Sequence, residues 1–317
     1  MNSLQMMMGC RTVADPLVGF VTTWLIADGD KSITLPLRSG FTYDMTVDWG
    51  DESSSEVTAY DDADRIHNYT TAGTKTVTIT GTCQAWYFNN GGDKLKFRTV
   101  ETWGDVGFTG LGLENAFRGC TAATDFGETM PAYDVTSLAS TWWDCTSATS
   151  LPDISALTSV TTLSYTWRHC DVATSFPDVD ALTSVNDLGG AWSYCSSATS
   201  FPDVSTLTLV DNLTYTWYGC SSATAFPDVD ALTSADKLYY TWYGCSDMTT
   251  VPVLPSASTA LTNTGNAFQA VGSQMEGIVA DLWNATDYPN ISSYANTFTG
   301  ATGLTNYADI PDNWKGL

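Results

Sequence analysis

The side chains best suited to chemistry in this 317-residue chain stand in evenly spaced columns, not in compact motifs. Asp153, Asp178, Asp203 and Asp228 each follow a proline and recur every 25 residues, with Asp180 and Asp230 two positions beyond the second and fourth. In a stack of equivalent turns such carboxylates lie about 5 Å apart. They then repel by about 0.8 kcal/mol at the dielectric of water, or about 3 kcal/mol at an effective value of about 20. They must therefore face solvent or share cations; a solvated face is the plainer reading, and calcium is the ion that clustered oxygens would suit. Asp48 and Asp51 offer a second acidic pair for an ion. Carboxylate pairs are also the acids and bases of polysaccharide-cleaving enzymes. A catalytic pair should be a local exception to a repeat, however, and these aspartates are the repeat.

Thiols keep the same interval: Cys120, Cys145, Cys170, Cys195, Cys220 and Cys245. Zinc sites pair cysteines about two to four residues apart, so this spacing builds none. Stacked turns would bring neighbouring sulfurs within disulfide reach, yet a column of equivalent positions has no natural pairing. Reduced, buried thiols follow, in keeping with folding in a reducing compartment. Of the two histidines, His67 lies in a turn-and-strand segment where a structural hydrogen bond accounts for it. His169 occupies a slot held elsewhere by Asp144, Tyr194, Gly219 and Gly244, the mark of exposed variation. With no phosphate loop and no nucleophile elbow, the chain reads as a non-enzyme, and calcium is the one cofactor its residues suggest. Aromatics beside the core columns are the candidate binding residues: Tyr165, Tyr215 and Tyr240 share one slot, and Trp143, Tyr218 and Tyr243 another. Ring faces among acidic neighbours can stack on sugars or receive a protein, unless adjacent turns pack them away.

The repeat itself must position all of these. Three residues before each cysteine stands Phe117, Trp142, Trp167, Trp192, Trp217 or Trp242, and seven before it Leu113, Leu138, Leu163, Leu188, Leu213 or Leu238. Six after it comes Phe126, Leu151, Phe176, Phe201, Phe226 or Val251. A unit of this length cannot bury its apolar side alone, so turns must stack, with tryptophan over tryptophan and thiol over thiol in a dry core. Within a unit, Ser-Ala-Thr-x-Phe-Pro-Asp-Val should be extended, because proline lacks an amide donor and suits a strand end or edge. Tyr-Thr-Trp-Tyr-Gly-Cys should make a short helical turn closed by glycine. Phe268 and Phe298 echo the aromatic column at intervals of 26 and 30, as degenerate terminal turns sealing the core would.

Upstream, Ile33–Leu37, Tyr43–Val47 and Lys75–Thr80 read as strands with one buried face, separated by turn chemistry at Trp49-Gly50-Asp51 and Ala72-Gly73-Thr74. A small antiparallel sandwich is the natural outcome. The segments "VDWGDESS" and "HNYTTAGTKTVTIT" resemble the two signatures of a polycystic-kidney-disease (PKD) domain, an immunoglobulin-like sandwich whose members act as spacers or binding modules. Glu52 stands where that family usually has glycine.

The repeats, through Phe117-Arg118-Gly119-Cys120, Trp217-Tyr218-Gly219-Cys220 and Trp242-Tyr243-Gly244-Cys245, resemble the BspA-like leucine-rich-repeat surface proteins. Alanine at Ala148, Ala173, Ala198 and Ala223 replaces that family's usual leucine, and tryptophan its phenylalanine, a volume exchange that a core tolerates. The resemblance implies surface attachment without catalysis. The expected fold is mainly β: an N-terminal arm (1–16), an immunoglobulin-like sandwich (17–93), a right-handed leucine-rich-repeat-like solenoid of 25-residue turns (94–270) and degenerate terminal repeats (271–317).

Charge narrows the partners. Twelve basic residues against 35 acidic ones leave −23, and beyond Cys120 the basic residues are Arg168, Lys237 and Lys315. Nucleic acid and anionic membranes need a cationic surface this chain lacks. Met1–Cys10 has no basic and apolar export pattern, and no run of about 18 apolar residues occurs. These features point to a non-enzymatic recognition or adhesion protein on a virion surface, such as a phage decoration, fibre or tail protein, binding a host-surface glycan or protein. The alternatives are a purely structural role against neighbouring virion subunits or copies of itself, a secreted bacterial adhesin on a cell surface, and, last, a polysaccharide-degrading enzyme.

Overall fold

The computed structural model describes residues 19–255 and 257–317; the arm expected at 1–16 lies outside them. The chain is mainly β, and among the described residues its one α-helix is the four-residue α1, Asp312–Lys315. Alternation of apolar and polar side chains makes the first strands. β1 (Phe20–Ile26) buries Phe20, Thr22, Trp24 and Ile26 and turns the residues between them outward, the two-residue period of a half-buried strand. β2 (Ser32–Thr34), β3 (Tyr43–Asp48), β4 (Ser54–Val57), β5 (Ile66–Asn68), β6 (Gly73–Cys83) and β7 (Phe97–Thr102) follow. A five-stranded antiparallel sheet runs β4-β3-β6-β1-β7, and β2 pairs with β5 in a second, two-stranded sheet.

The tight turn after β3 is held by packing. Trp49 stacks on His67 at 4.8 Å, Tyr69 Oη donates to the Trp49 carbonyl (2.9 Å), and His67 Nε2 lies 2.9 Å from Asp51 Oδ2. Glycine is required at Gly50: its φ is 71° and a β-carbon would stand 2.3 Å from the Thr76 carbonyl. Glu52 also takes a left-handed backbone, φ 70°, the conformation that its substitution for glycine would penalise.

β7 belongs to two structures at once. It pairs antiparallel with β1, while Thr99 bridges in parallel to Asp125 and the Val100 amide donates to the Asp125 carbonyl (3.0 Å). Trp86, Phe88 and Asn90 likewise donate to the carbonyls of Gly112, Ala116 and Arg118. Hydrogen bonds thus cross the boundary placed at 93/94, and one continuous hydrophobic cluster extends from Phe20 to Trp314.

From there coils of 25 residues, lengthening to 26 and 30 beyond Lys237, lie one on another in parallel register, starting with β8 (Thr109–Gly110) on β9 (Asp134–Val135). Bridges run Ser137, Thr162, Asp187, Asn212, Lys237, Asn263, Ser293. The indoles of Trp142, Trp167, Trp192, Trp217 and Trp242 are buried and near-parallel at 5.4–6.1 Å, and Phe268 and Phe298 continue the column to Trp314 of α1. Each thiol from Cys145 to Cys245 donates to the carbonyl of the aromatic residue one coil below, at 3.0–3.4 Å. A buried threonine ladder, not anticipated from the sequence, lies between: Thr141, Thr166, Thr216 and Thr241 donate to Leu113, Leu138, Leu188 and Leu213 carbonyls.

The corner before each cysteine is not the helical turn expected. In Tyr215–Cys220 alternate amides close local turns (Thr216 to Leu213, Tyr218 to Tyr215, Cys220 to Trp217), while the others donate to the next coil (Tyr215 to Tyr239, Trp217 to Thr241, Gly219 to Tyr243). A helix would keep every amide for itself; here the neighbouring coil takes every second one. The reversals require positive φ at two residues per corner, such as Tyr215 (60°) and Gly219 (72°).

Candidate binding surface

The same corner geometry decides which side chains reach the surface. Tyr165, Tyr215 and Tyr240 hold left-handed backbone at φ 54–60°, in a column whose other members are Asn115, Ser140 and Gly190. For a bulky side chain this costs about 1–2 kcal/mol per residue, against which ring stacking works. Tyr215 and Tyr240 stack at 5.0 Å with 7° between planes, and Tyr218 and Tyr243 at 4.9 Å with 4°. Trp143 stacks on Tyr165 at 5.6 Å. Cross-contacts Tyr215–Tyr218, Tyr218–Tyr240 and Tyr240–Tyr243 join the two slots.

All six residues singled out in the sequence therefore lie on one strip of half-buried rings. Others join it unannounced. Tyr194 leans over Gly219 to meet Tyr218 at 4.9 Å and takes His169 on its other side at 4.4 Å; Tyr239 meets Tyr240 edge-on at 4.4 Å. Tyr194 and His169 share a slot that reads as variable in the sequence, and only the stack shows them joining the strip at the coil whose Ser193 is buried. His169 Nδ1 lies 3.4 Å from Asp171 Oδ1. Arg118 lies over Trp143 (3.8 Å to the ring centroid), and Arg168 lies over Trp143, Tyr165 and Tyr194 (5.3, 5.6 and 5.0 Å).

Stacking on sugars through open ring faces is not what this geometry offers, because rings about 5 Å apart cover one another's faces. Ring edges and phenol hydroxyls remain. Desolvation, reinforced by neighbouring phenols, pushes the Tyr218 hydroxyl up to about 12 and raises Tyr215 and Tyr240 as well, so these are neutral donors and acceptors at ordinary pH.

The aspartate columns line clefts elsewhere on the coils. Asp153, Asp178 and Asp180 line one of ≈ 520 Å³ with Phe176 and Pro177, and Asp203, Asp228 and Asp230 another of ≈ 590 Å³ with Phe201 and Pro227. The coils part there because Phe176–Asp178 and Phe201–Asp203 make no backbone–backbone hydrogen bond, proline having removed a donor from each. Several carboxylates serve backbone amides: Asp153 accepts from Ser155 (2.9 Å) and Asp203 from Ser205 (2.9 Å) within their own turns, and Asp228 from Val253 of the next coil (2.7 Å). Asp48 likewise accepts from the Gly50 amide. Among the described residues no three His, Cys, Asp or Glu side chains gather to hold a metal ion.

The thiols of the described residues offer no reactive centre. The described cysteines are unpaired and buried, and burial pushes the thiols from Cys120 to Cys245 well above their ordinary value, which suppresses the nucleophilic thiolate. Among the described residues no helix is long and apolar enough to cross a membrane. Comparison with protein-family models, with curated proteins and with solved structures finds no match to this chain.

Proposed function

We propose that this chain is a non-enzymatic, surface-displayed recognition protein: a PKD-type immunoglobulin-like sandwich continued by a right-handed, BspA-like solenoid whose aromatic strip engages a host-surface glycan or protein. The setting we favour is a virion accessory such as a phage decoration, fibre or tail protein. One observation carries the reading: tyrosines occupy strained left-handed positions outside the core, where asparagine, serine or glycine stand in other coils. Strain retained at the surface is a pointer to function, and amphipathic rings with hydroxyl edges suit recognition of hydroxyl-rich or mixed surfaces.

The test is binding of the intact chain to arrayed bacterial surface polysaccharides and envelope proteins, beside a Tyr215→Ser, Tyr218→Ser, Tyr240→Ser, Tyr243→Ser variant of unchanged circular dichroism. Loss of a ligand in the variant supports the strip as the binding surface. Equal binding by both proteins sinks it, and loss of particle stability on deletion with no ligand bound turns the role into one of assembly.

A further inference from the structure

We infer that Arg118, Trp143 and Arg168 form a carboxylate-binding subsite within the strip, and that its ligand is an anionic polysaccharide bearing an acid group on alternate sugars. This rests on the reading of the strip as a glycan-binding surface.

From Arg118 onward the chain has four basic residues, and they divide into two kinds. Lys237 and Lys315 are each ion-paired, with Asp236 at 3.0 Å and Asp312 at 3.2 Å. Arg118 and Arg168 have no carboxylate within ion-pair distance among the described residues, although the chain carries 35 acidic residues. Both instead lie over Trp143, at 3.8 and 5.3 Å. Their Nε atoms are buried without a hydrogen-bond partner, and Arg118 Nη1 reaches Asn115 Oδ1 only at 3.5 Å. A guanidinium whose face is covered by a ring still has its in-plane N–H fork, which matches a carboxylate.

Spacing selects the ligand. The two arginines occupy the same slot two coils apart, about 10 Å at the spacing of stacked strands, close to the length of a disaccharide. Trp143 fills the slot between them, and Tyr194 and Tyr218 carry the ladder onward with hydroxyl edges. A polymer with an acid on alternate sugars presents two carboxylates at the separation of Arg118 and Arg168, whereas an irregular acidic peptide has no fixed spacing to match theirs. Asp144 and Asp171 act on the neighbouring Cys170, and His169 faces Asp171; at about 0.15 M salt charge is screened over about 8 Å, which removes the repulsion of the chain's distant carboxylates and leaves these two as the ones an anion must outweigh.

Titration calorimetry of the intact chain in about 0.15 M salt compares four probes: hyaluronan oligosaccharides (acid on alternate sugars), oligogalacturonate (acid on every sugar), dextran oligosaccharides and polyglutamate. The expected result is tightest binding to hyaluronan oligosaccharides, weakened about tenfold or more by Arg118→Gln, Arg168→Gln, with binding of dextran unchanged and the far-ultraviolet dichroism of the variant intact. Equal affinity of wild type and arginine variant for the acidic probes, or hyaluronan no tighter than dextran, overturns the subsite. The strip reading survives that outcome if dextran binding is lost in the tyrosine variant. Absence of binding to any saccharide, or polyglutamate binding tighter than all of them, overturns the subsite as well, and the strip reading is then decided by the arrayed envelope proteins and polysaccharides against the tyrosine variant.

Discussion

Gly190 lies against the ring of Tyr165, so close that a β-carbon at Gly190 would stand 2.4 Å from it. The two occupy the same column in adjacent coils, both at left-handed φ, and the large side chain fits only because its neighbour has none. Gly190→Ala should therefore destabilise the protein by about 2–4 kcal/mol, combining left-handed strain with overpacking. Adding Tyr165→Ser should recover the overpacking part, and denaturant unfolding of the four proteins gives the coupling. Strict additivity of the two changes would show that the ring does not need the glycine.

Trp192 stacks between Trp167 at 5.4 Å and Trp217 at 5.8 Å, and its buried indole N–H has no acceptor. Trp192→Ala should cost about 3–5 kcal/mol. Trp192→Phe should cost less than about 2 kcal/mol, because it removes an unsatisfied donor whose burial is unfavourable by about 1–3 kcal/mol. Phe117, Phe268 and Phe298 already serve in this column. Thermal melting of both variants checks the order.

The thiols from Cys83 to Cys245 should resist an aromatic disulfide reagent at pH 8 until the chain unfolds, since burial disfavours their thiolates. Modification followed by intact-mass measurement, with and without denaturant, reads this directly. Rapid labelling of these positions in the native protein would contradict the dry thiol column.

Glu52 holds φ 70° in the turn after β3. Glu52→Gly should stabilise by about 0.5–1 kcal/mol, the relief of left-handed strain being partly offset by greater freedom of the unfolded chain. A midpoint shift in urea unfolding measures it.

Asp51 links the same turn to the strand beyond it. Burial would raise its carboxyl, but hydrogen bonds from Ser53 and His67 outweigh that and hold it below the ordinary value. A depressed folded-state value means stability fully present above the unfolded carboxylate value of about 3.9 and lost as pH falls through the folded one. Asp51→Asn should flatten that part of the acid limb of the stability–pH curve while leaving its shape above about pH 5 unchanged, as urea midpoints between pH 2 and 7 would show.

Much of this was legible because a column of identical side chains constrains where the chain can go. Trp142 to Trp242 and Cys120 to Cys245 recur at one interval, and only coils laid in register bury both at once. The local path within a coil was not legible. Tyr215–Cys220 has the composition of a helical turn, yet the adjacent coil competes for its amides and takes alternate ones, which forces left-handed backbone at a tyrosine. Nor could spacing reveal that Tyr194 and His169 complete the surface stack, because a slot of mixed residues carries no periodic signal.

The amino-acid order by itself determined the interval, the composition of the core and the side on which carboxylates gather, since these follow from which residues recur and water's exclusion of apolar ones. Only the folded chain decided that β7 fuses the first sheet to the coils and that two arginines meet one tryptophan without an acidic partner. Those are relations between residues of adjoining coils and strands, set by the pitch of the stack and the direction in which each side chain leans.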